Sequence, residues 1–239
     1  MMSFPIHADM GRRYMDAGRR VRAPIMGQDS NKVAIQYDTV AKEYAEKFCG
    51  EHEQKPKDCE MFFKFSQEIG NRKPIWDFGC GPGQTTKYLS DLGIEISGMD
   101  LSEKLLERAR TLHPKIHFQK GNILEPDFES ESIAGVVAFY AIVHFSEGQV
   151  GRAFDEIFRV LQPGGVFFLA YHIGDETIHL DEFLGQEVEL DFILFRNDFI
   201  LRCLEDSGFR KIEVVERDPY PEVEYQSQRA YVFSRKPMM

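Results

Sequence analysis

The stretch Asp77-Phe78-Gly79-Cys80-Gly81-Pro82-Gly83-Gln84 places three alternating glycines behind an acidic residue, and a second carboxylate, Asp100, stands 21 positions after Gly79. Glycines let a backbone approach a ligand closely and adopt positive φ, and a helix that begins just after them leaves its first amides free to donate. A carboxylate closing the following strand can accept hydrogen bonds from both hydroxyls of a ribose. No Lys-Ser or Lys-Thr follows the last glycine, so this is not a Walker loop, and Gln84 occupies the place where a dinucleotide fingerprint needs its third glycine. The pattern suits an adenosine with an intact ribose.

For these groups to meet, the turn must join a strand to a helix, and the flanking pattern supplies both. Ile75 to Cys80 reads as a strand, Gln84 to Leu92 as a helix and Ile94 to Met99 as a strand. Ser102 to Leu112 reads as a helix capped by Ser102, with Leu105, Leu106, Ala109 and Leu112 inward. Lys115 to Lys120 follows as a strand, and the apolar run Ile133 to Tyr140 suits a central parallel strand covered on both faces. Val150, Ala153, Phe154, Ile157 and Leu161 mark a helix, Pro163-Gly164-Gly165 a turn and Val166 to Tyr171 another strand. Asp198 to Ser207 gives a helix capped by Asn197 or Asp198 and stopped at Gly208, and Lys211 to Val215 with Arg229 to Ser234 forms a pair of strands, antiparallel at one edge. Such alternation implies right-handed crossovers and an α/β fold, an open twisted sheet with helices on both sides.

Upstream, Tyr37, Val40, Ala41, Tyr44 and Phe48 share one helical face, and Cys59, Phe62, Phe63, Ser66 and Ile69 mark the stripe of a second helix. Residues 173–196 fit no crossover and read as an insertion over the strand ends. Its acids, Asp175 and Glu189 among them, either favour a cationic acceptor or form a solvated face. Residues 1–29, with Arg12, Arg13, Arg19, Arg20 and Arg22, read as a mobile extension or as a basic arm for an acidic partner.

From about Asn31 to Lys236 the sequence resembles the class I S-adenosylmethionine-dependent methyltransferases. Ile75 to Gly83 is similar to their first motif, Gly98-Met99-Asp100-Leu101-Ser102 to the stretch carrying the ribose-binding acid, and Gly121-Asn122-Ile123 to the segment beside the adenine. Leu161-Gln162-Pro163-Gly164-Gly165 matches the turn before their fifth strand. The resemblance implies a Rossmann-like three-layer sandwich whose mostly parallel, seven-stranded sheet has an antiparallel last strand. It also implies S-adenosylmethionine as cofactor and a single methyltransferase domain, 30–239, in which residues 30–70 form a helical lid over a core of residues 71–239.

By the same resemblance Gly79, Gly81 and Gly83 hold the cofactor, with Cys80 a small filler of their turn, while Asp100 takes the ribose and Leu101, Asn122 and Ile123 border the adenosine. Asn122 stands where the family often has Asp; an amide oxygen still serves an amino group. Asp77 either meets the cofactor's amino group or ties down the loop. Tyr37 and Tyr44 either pack in the core or present aromatic faces to a sulfonium cation. Phe139 borders the cofactor, and Tyr140, His144 and His172 are the candidate catalytic residues, each with a packing role as the alternative. Ala138-Phe139-Tyr140 lacks the Asn/Asp-Pro-Pro-Tyr tetrad of enzymes that methylate exocyclic base nitrogens, which disfavours a nucleobase amine.

Methyl transfer from a sulfonium is an in-line displacement, so the protein must chiefly align the partners and exclude water. A hydroxyl acceptor would call for a base, His144 or His172. No metal is expected. The expected acceptor is a small molecule; the alternatives are a protein or RNA substrate reached through the basic tail, or a cofactor-binding regulator without turnover. In 239 residues, 29 basic against 39 acidic side chains give a net charge of −10, which disfavours nucleic acid as a partner. Four scattered cysteines and the absence of an apolar run of about 18 residues suit a cytoplasmic protein that neither enters a membrane nor is exported.

Overall fold

The computed structural model describes residues 27–238 together with the backbone of Arg20–Arg22. Residues 1–19 and 23–26, expected to be a mobile extension or a basic arm with Arg12, Arg13 and Arg19, lie outside the described residues. The chain runs β1 (Arg20–Arg22), α1 (Ser30–Phe48), a 3₁₀ turn (Glu51–Gln54), α2 (Pro56–Ile69), β2 (Ile75–Phe78), α3 (Gln84–Asp91), β3 (Ile96–Asp100), α4 (Glu103–Leu112) and β4 (Phe118–Lys120). It continues through β5 (Ile133–Phe139), α5 (Glu147–Val160), β6 (Leu161–His172), β7 (Thr177–Phe183), β8 (Gln186–Ile193), α6 (Asn197–Asp206), β9 (Arg210–Arg217) and β10 (Arg229–Arg235).

Seven strands form the main sheet in the order β4-β3-β2-β5-β6-β10-β9. All its neighbours pair in parallel except β10, which runs antiparallel to both β6 and β9. The last strand is thus inserted between β6 and β9, and β9 rather than β10 is the edge. Strand order reverses between β2 and β5, where a crevice opens at the carboxyl ends of the strands. β2 and β5 are apolar throughout except at Asp77, because helices cover both of their faces.

Local signals account for the helix limits. Ser102 caps α4 by accepting from the Leu105 amide, and Ser146 opens α5 with a reciprocal capping box to Gln149. Three expectations shift. Phe63 is 56% exposed while Met61 and Phe65 are buried, since Phe62 and Phe63 lie about 100° apart on a helix and cannot both face the sheet. Leu112, the last residue of α4, is 45% exposed, leaving Leu105, Leu106 and Ala109 to carry the inward face. Arg196, not Asn197 or Asp198, sits at the N-cap of α6 and makes no side-chain cap there. The third strand is also shorter than expected, because the chain turns between His113 and Ile116 before pairing starts at Phe118.

The insertion forms a second, three-stranded antiparallel sheet ordered β1-β7-β8. Arg20–Arg22, read from the sequence as part of a mobile extension, is its edge strand, with Arg20 opposite His179 and Arg22 opposite Thr177. Ile178, Leu180, Phe183, Val188 and Leu190 of this sheet pack on Val40 of α1. Helix and sheet together cover the crevice of the main sheet. No described helix is long and apolar enough to cross a membrane.

Candidate functional site

The crevice widens into a cavity of about 840 Å³, toward the upper end of the roughly 300–1,000 Å³ common for small-molecule sites. Fourteen of the fifteen residues singled out from the sequence line it. The exception is Gly83: it begins α3 at φ +84°, and a Cβ there would come within 2.8 Å of the Phe118 ring and 3.0 Å of His113, on the side away from the cavity. Alternating glycines do not reveal which of them faces a ligand. Gly79 (φ +74°) is dictated by the loop after β5, since its Cβ would lie 2.6 Å from that of Ala141. Gly81 (φ +55°) has open space beyond 3.9 Å toward Tyr44 and Gln84, so it is the glycine that lets a ligand touch the backbone.

Asp100, at the end of β3, accepts from the Gly81 amide through Oδ2 and from the Ser102 amide through Oδ1, both at 2.8 Å. Each oxygen keeps a lone pair for a ligand hydroxyl. Burial raises the Asp100 pKa, and the backbone donors hold part of that rise in check. Helix α1 is anchored at the same point, because Asp38 accepts from the Ser102 hydroxyl at 2.5 Å and from the Lys104 amide at 3.0 Å.

Asp77, at the end of β2, is almost fully buried and accepts from the Thr86 hydroxyl at 2.6 Å. Desolvation pushes its pKa up to about 7, with the Thr86 bond opposing. It thus ties strand to helix while its carboxyl group lines the cavity. Cys80 turns its sulfur into a core of Leu106, Ala109 and Phe118, and burial raises its pKa well above normal, as suits a filler rather than a nucleophile. Asn122 spends one lone pair of its amide oxygen on the Leu124 amide at 3.0 Å, and Ile123 and Leu101 present apolar surface beside it.

The Tyr37 hydroxyl lies 2.9 Å from Nε2 of His144, whose Nδ1 is 2.7 Å from the Asp191 carbonyl. Burial pushes the His144 pKa down to about 4 and raises that of Tyr37. Tyr44 packs edge-on against Tyr37, with ring centroids 5.6 Å apart.

At the other end of the cavity, the chain leaves β5 through Tyr140 in a left-handed conformation (φ +56°), uncommon for a side-chain-bearing residue and frequent where function imposes it. Its ring packs 4.7 Å from Phe139 and 4.8 Å from His172, and its buried hydroxyl has no hydrogen-bond partner among the described residues. His172 Nδ1 lies 2.7 Å from the Ser227 hydroxyl. Burial first, then the positive charges of Arg229, Lys55 and Arg217, drive the His172 pKa well below its usual value.

Sequence reasoning missed Glu51, Lys55, Gln84, Glu224 and Arg229, all on the cavity wall. They come from the 3₁₀ turn and the residue after it, from the start of α3, from the loop before β10 and from the first residue of β10, and no short-range spacing connects them. Glu224 is held by Arg217, by Arg229 at 3.1 Å and by Lys55 at 3.7 Å. The insertion contributes only Phe183, Leu184 and Phe192 to the wall, so its acids do not face the cavity. Among the described residues, His179, Asp181 and Glu189 form one group of metal-ligand type; it lies in the second sheet, and none of the three lines the cavity.

A sequence model described as a methyltransferase domain matches residues 75–165. A sterol 24-C-methyltransferase from Debaryomyces hansenii is 33% identical over 117 residues, covering 45% of this chain and 30% of that protein. A malonyl-(acyl-carrier protein) O-methyltransferase from Enterobacter lignolyticus is 30% identical over 145 residues, covering 54% of this chain and 57% of that protein. The chain therefore spans between about a third and just over half of the length of these curated relatives. In three dimensions, a 1,6-didemethyltoxoflavin-N1-methyltransferase from Burkholderia thailandensis, solved with S-adenosylhomocysteine, superposes with a TM-score of 0.69 at 17% identity, covering 94% of this chain and 98% of that one. At that identity the likeness speaks for the fold. Sheet order, glycine turn and domain match converge: residues 75–165 match a methyltransferase domain, and they are set in the mostly parallel, seven-stranded sheet with an antiparallel strand that the sequence resemblance implies.

Proposed function

We propose that the protein transfers a methyl group from S-adenosylmethionine to a small-molecule acceptor bound in the same cavity, with residues 30–70 and 173–196 closing over both. The observation that carries this reading is the two-ended cavity: a carboxylate with free lone pairs beside a glycine whose α-carbon faces open space at one end, an aromatic wall with an unpartnered hydroxyl at the other.

When bound, S-adenosylmethionine supplies a methyl group activated by a positively charged sulfur. Asp100 accepts the ribose hydroxyls, Leu101, Asn122 and Ile123 border the adenine, and Gly81 lets the methionine portion lie on the backbone. Asp77, once ionised, faces the amino group. Tyr37 and Tyr44 offer aromatic faces and a hydroxyl oxygen to the sulfonium, and Phe139 separates this region from the acceptor. Tyr140 and His172 meet the acceptor, while His144 positions Tyr37.

Neither imidazole has the basicity of a free histidine, so the pocket suits acceptors already nucleophilic near neutral pH. The relatives' printed names give a sterol, malonyl-(acyl-carrier protein) and 1,6-didemethyltoxoflavin, small and carrier-bound molecules that suit a cavity of this size. Incubation with methyl-labelled S-adenosylmethionine and a fractionated cell extract tests the reading. Label should enter the low-mass fraction; label confined to protein or RNA, or none at all, would overturn it.

A further inference from the structure

The acceptor end of the cavity has an electrostatic character that narrows the substrate class. Three cations gather there: Lys55, from the turn between the lid helices, Arg217, from the end of β9, and Arg229, from the start of β10. Lys55 and Arg229 line the cavity, and the Arg229 guanidinium carbon sits 6.0 Å from the centroid of the Tyr140 ring.

The carboxylates nearby are already engaged. Glu224 is ion-paired with all three cations and also accepts from the Tyr220 amide at 2.8 Å. Asp58 accepts from Arg217 at 3.0 Å and from the Tyr231 hydroxyl, and it does not line the cavity. Glu51 is paired with Lys55 and accepts from the Gln84 amide at 3.2 Å. Glu222 is exposed, at the rim.

Tyr140 feels the negative charges of Asp58 and Glu224 as well, while Arg229, Lys55 and Arg217 act on the imidazole of His172, one wall of this corner. The Tyr140 hydroxyl beside it is a donor without an acceptor, buried at a cost that a ligand oxygen would remove. Phe139, Tyr140 and Tyr225 supply flat apolar surface around the corner.

We propose that the acceptor is a planar or apolar molecule carrying an anionic oxygen group, a carboxylate or phenolate, which docks at the corner formed by Tyr140, His172, Lys55 and Arg229. The Tyr140 hydroxyl donates to that oxygen, and Lys55 and Arg229 balance its charge without giving up Glu224. The inference rests on the methyltransferase reading and deepens it. An amine-bearing acceptor is disfavoured, because its cation would stand beside Lys55 and Arg229 where the nearby carboxylates Glu224, Glu51 and Asp58 are already paired, and, with cofactor bound, beside a sulfonium. The same chemistry has a second source, the carboxylate of the cofactor itself, and the two are separable because the cofactor's carboxylate is present in S-adenosylhomocysteine.

The experiment is calorimetric titration of the full chain, first with S-adenosylhomocysteine and then, at saturation, with benzoate, benzamide and benzylamine as probes. Benzoate should bind the loaded protein at millimolar concentration, benzamide at least tenfold more weakly and benzylamine not measurably. Tyr140→Phe should weaken benzoate about tenfold, the value of one hydrogen bond to a charged group, with S-adenosylhomocysteine affinity unchanged; Lys55→Gln should weaken benzoate by a similar factor. Equal binding of the three probes, absence of benzoate binding to the loaded protein, or an unchanged benzoate affinity in Tyr140→Phe would overturn the inference. So would benzoate binding that S-adenosylhomocysteine abolishes, which would assign the corner to the cofactor. Failure of S-adenosylhomocysteine itself to bind is a separate result and would sink the methyltransferase reading instead.

Discussion

Tyr37 and His144, from the lid helix and the loop after β5, share one hydrogen bond whose direction is fixed. The Asp191 carbonyl, 2.7 Å from Nδ1, can only accept, so the ring proton sits on Nδ1 and Nε2 receives the Tyr37 hydroxyl proton at 2.9 Å. One neutral tautomer thereby joins α1, the loop after β5 and the second sheet.

Removing the Tyr37 hydroxyl leaves a buried nitrogen without its donor. Tyr37→Phe should cost about 1–3 kcal/mol in urea-induced unfolding and loosen the lid, so that S-adenosylhomocysteine dissociates faster in a stopped-flow measurement. An unchanged stability and off-rate would mean that the bond does not hold the lid.

The same histidine sets an acid limit. Its pKa is about 4 when folded against an ordinary value of 6.5, so below 6.5 the unfolded chain binds a proton that the folded chain refuses. This contribution to stability is complete above pH 6.5 and is lost as pH falls from 6.5 toward 4. His144→Phe should flatten that part of a stability-against-pH curve, measured by thermal denaturation across the range.

Asp77 acts with the opposite slope. Its folded pKa of about 7 lies above the ordinary 3.8, so between these values the folded chain holds the extra proton and stability declines as pH rises. A cationic amino group needs the ionised form. Affinity for S-adenosylhomocysteine should therefore increase with pH up to about 7 and level off above it. In Asp77→Asn the dependence should vanish, as titration calorimetry at several pH values would reveal.

Two glycines of one turn should fail differently. Gly79→Ala puts a Cβ 2.6 Å from Ala141 at positive φ and should destabilise the fold by about 2 kcal/mol or more. Gly81→Ala bears the cost of a side chain at positive φ, about 1–2 kcal/mol, but meets no clash, so it should fold while its methyl group, placed in the cavity, weakens S-adenosylhomocysteine more than about tenfold. Circular dichroism melts and calorimetry on both variants separate the effects.

What the sequence disclosed was local. The glycine turn, Asp100, the Ser102 cap and the βα alternation each depend on residues within a few positions of one another, so spacing reveals them. The Phe63 and Leu112 expectations went astray because a periodicity marks a face only to within a residue, and the sheet beneath decides which residue is covered. Gly83 was assigned to the ligand because sequence does not state which way a turn faces. The cation corner was invisible for a stronger reason: Lys55, Arg217 and Arg229 are brought together only by the placement of β10 between β6 and β9 and by a lid helix packed above them.

The central claim is that Asp100 and the Gly81 turn bind an adenosine-containing sulfur cofactor. Titration of S-adenosylhomocysteine into the purified protein and into Asp100→Ala, with circular dichroism to verify that both are folded, addresses it most directly. We expect one saturable site in the parent chain and a loss of more than about a hundredfold in the variant, as two hydrogen bonds to a carboxylate at about 1.5–3 kcal/mol each would produce. No binding at millimolar concentration, or equal affinity in a folded Asp100→Ala, would contradict the account.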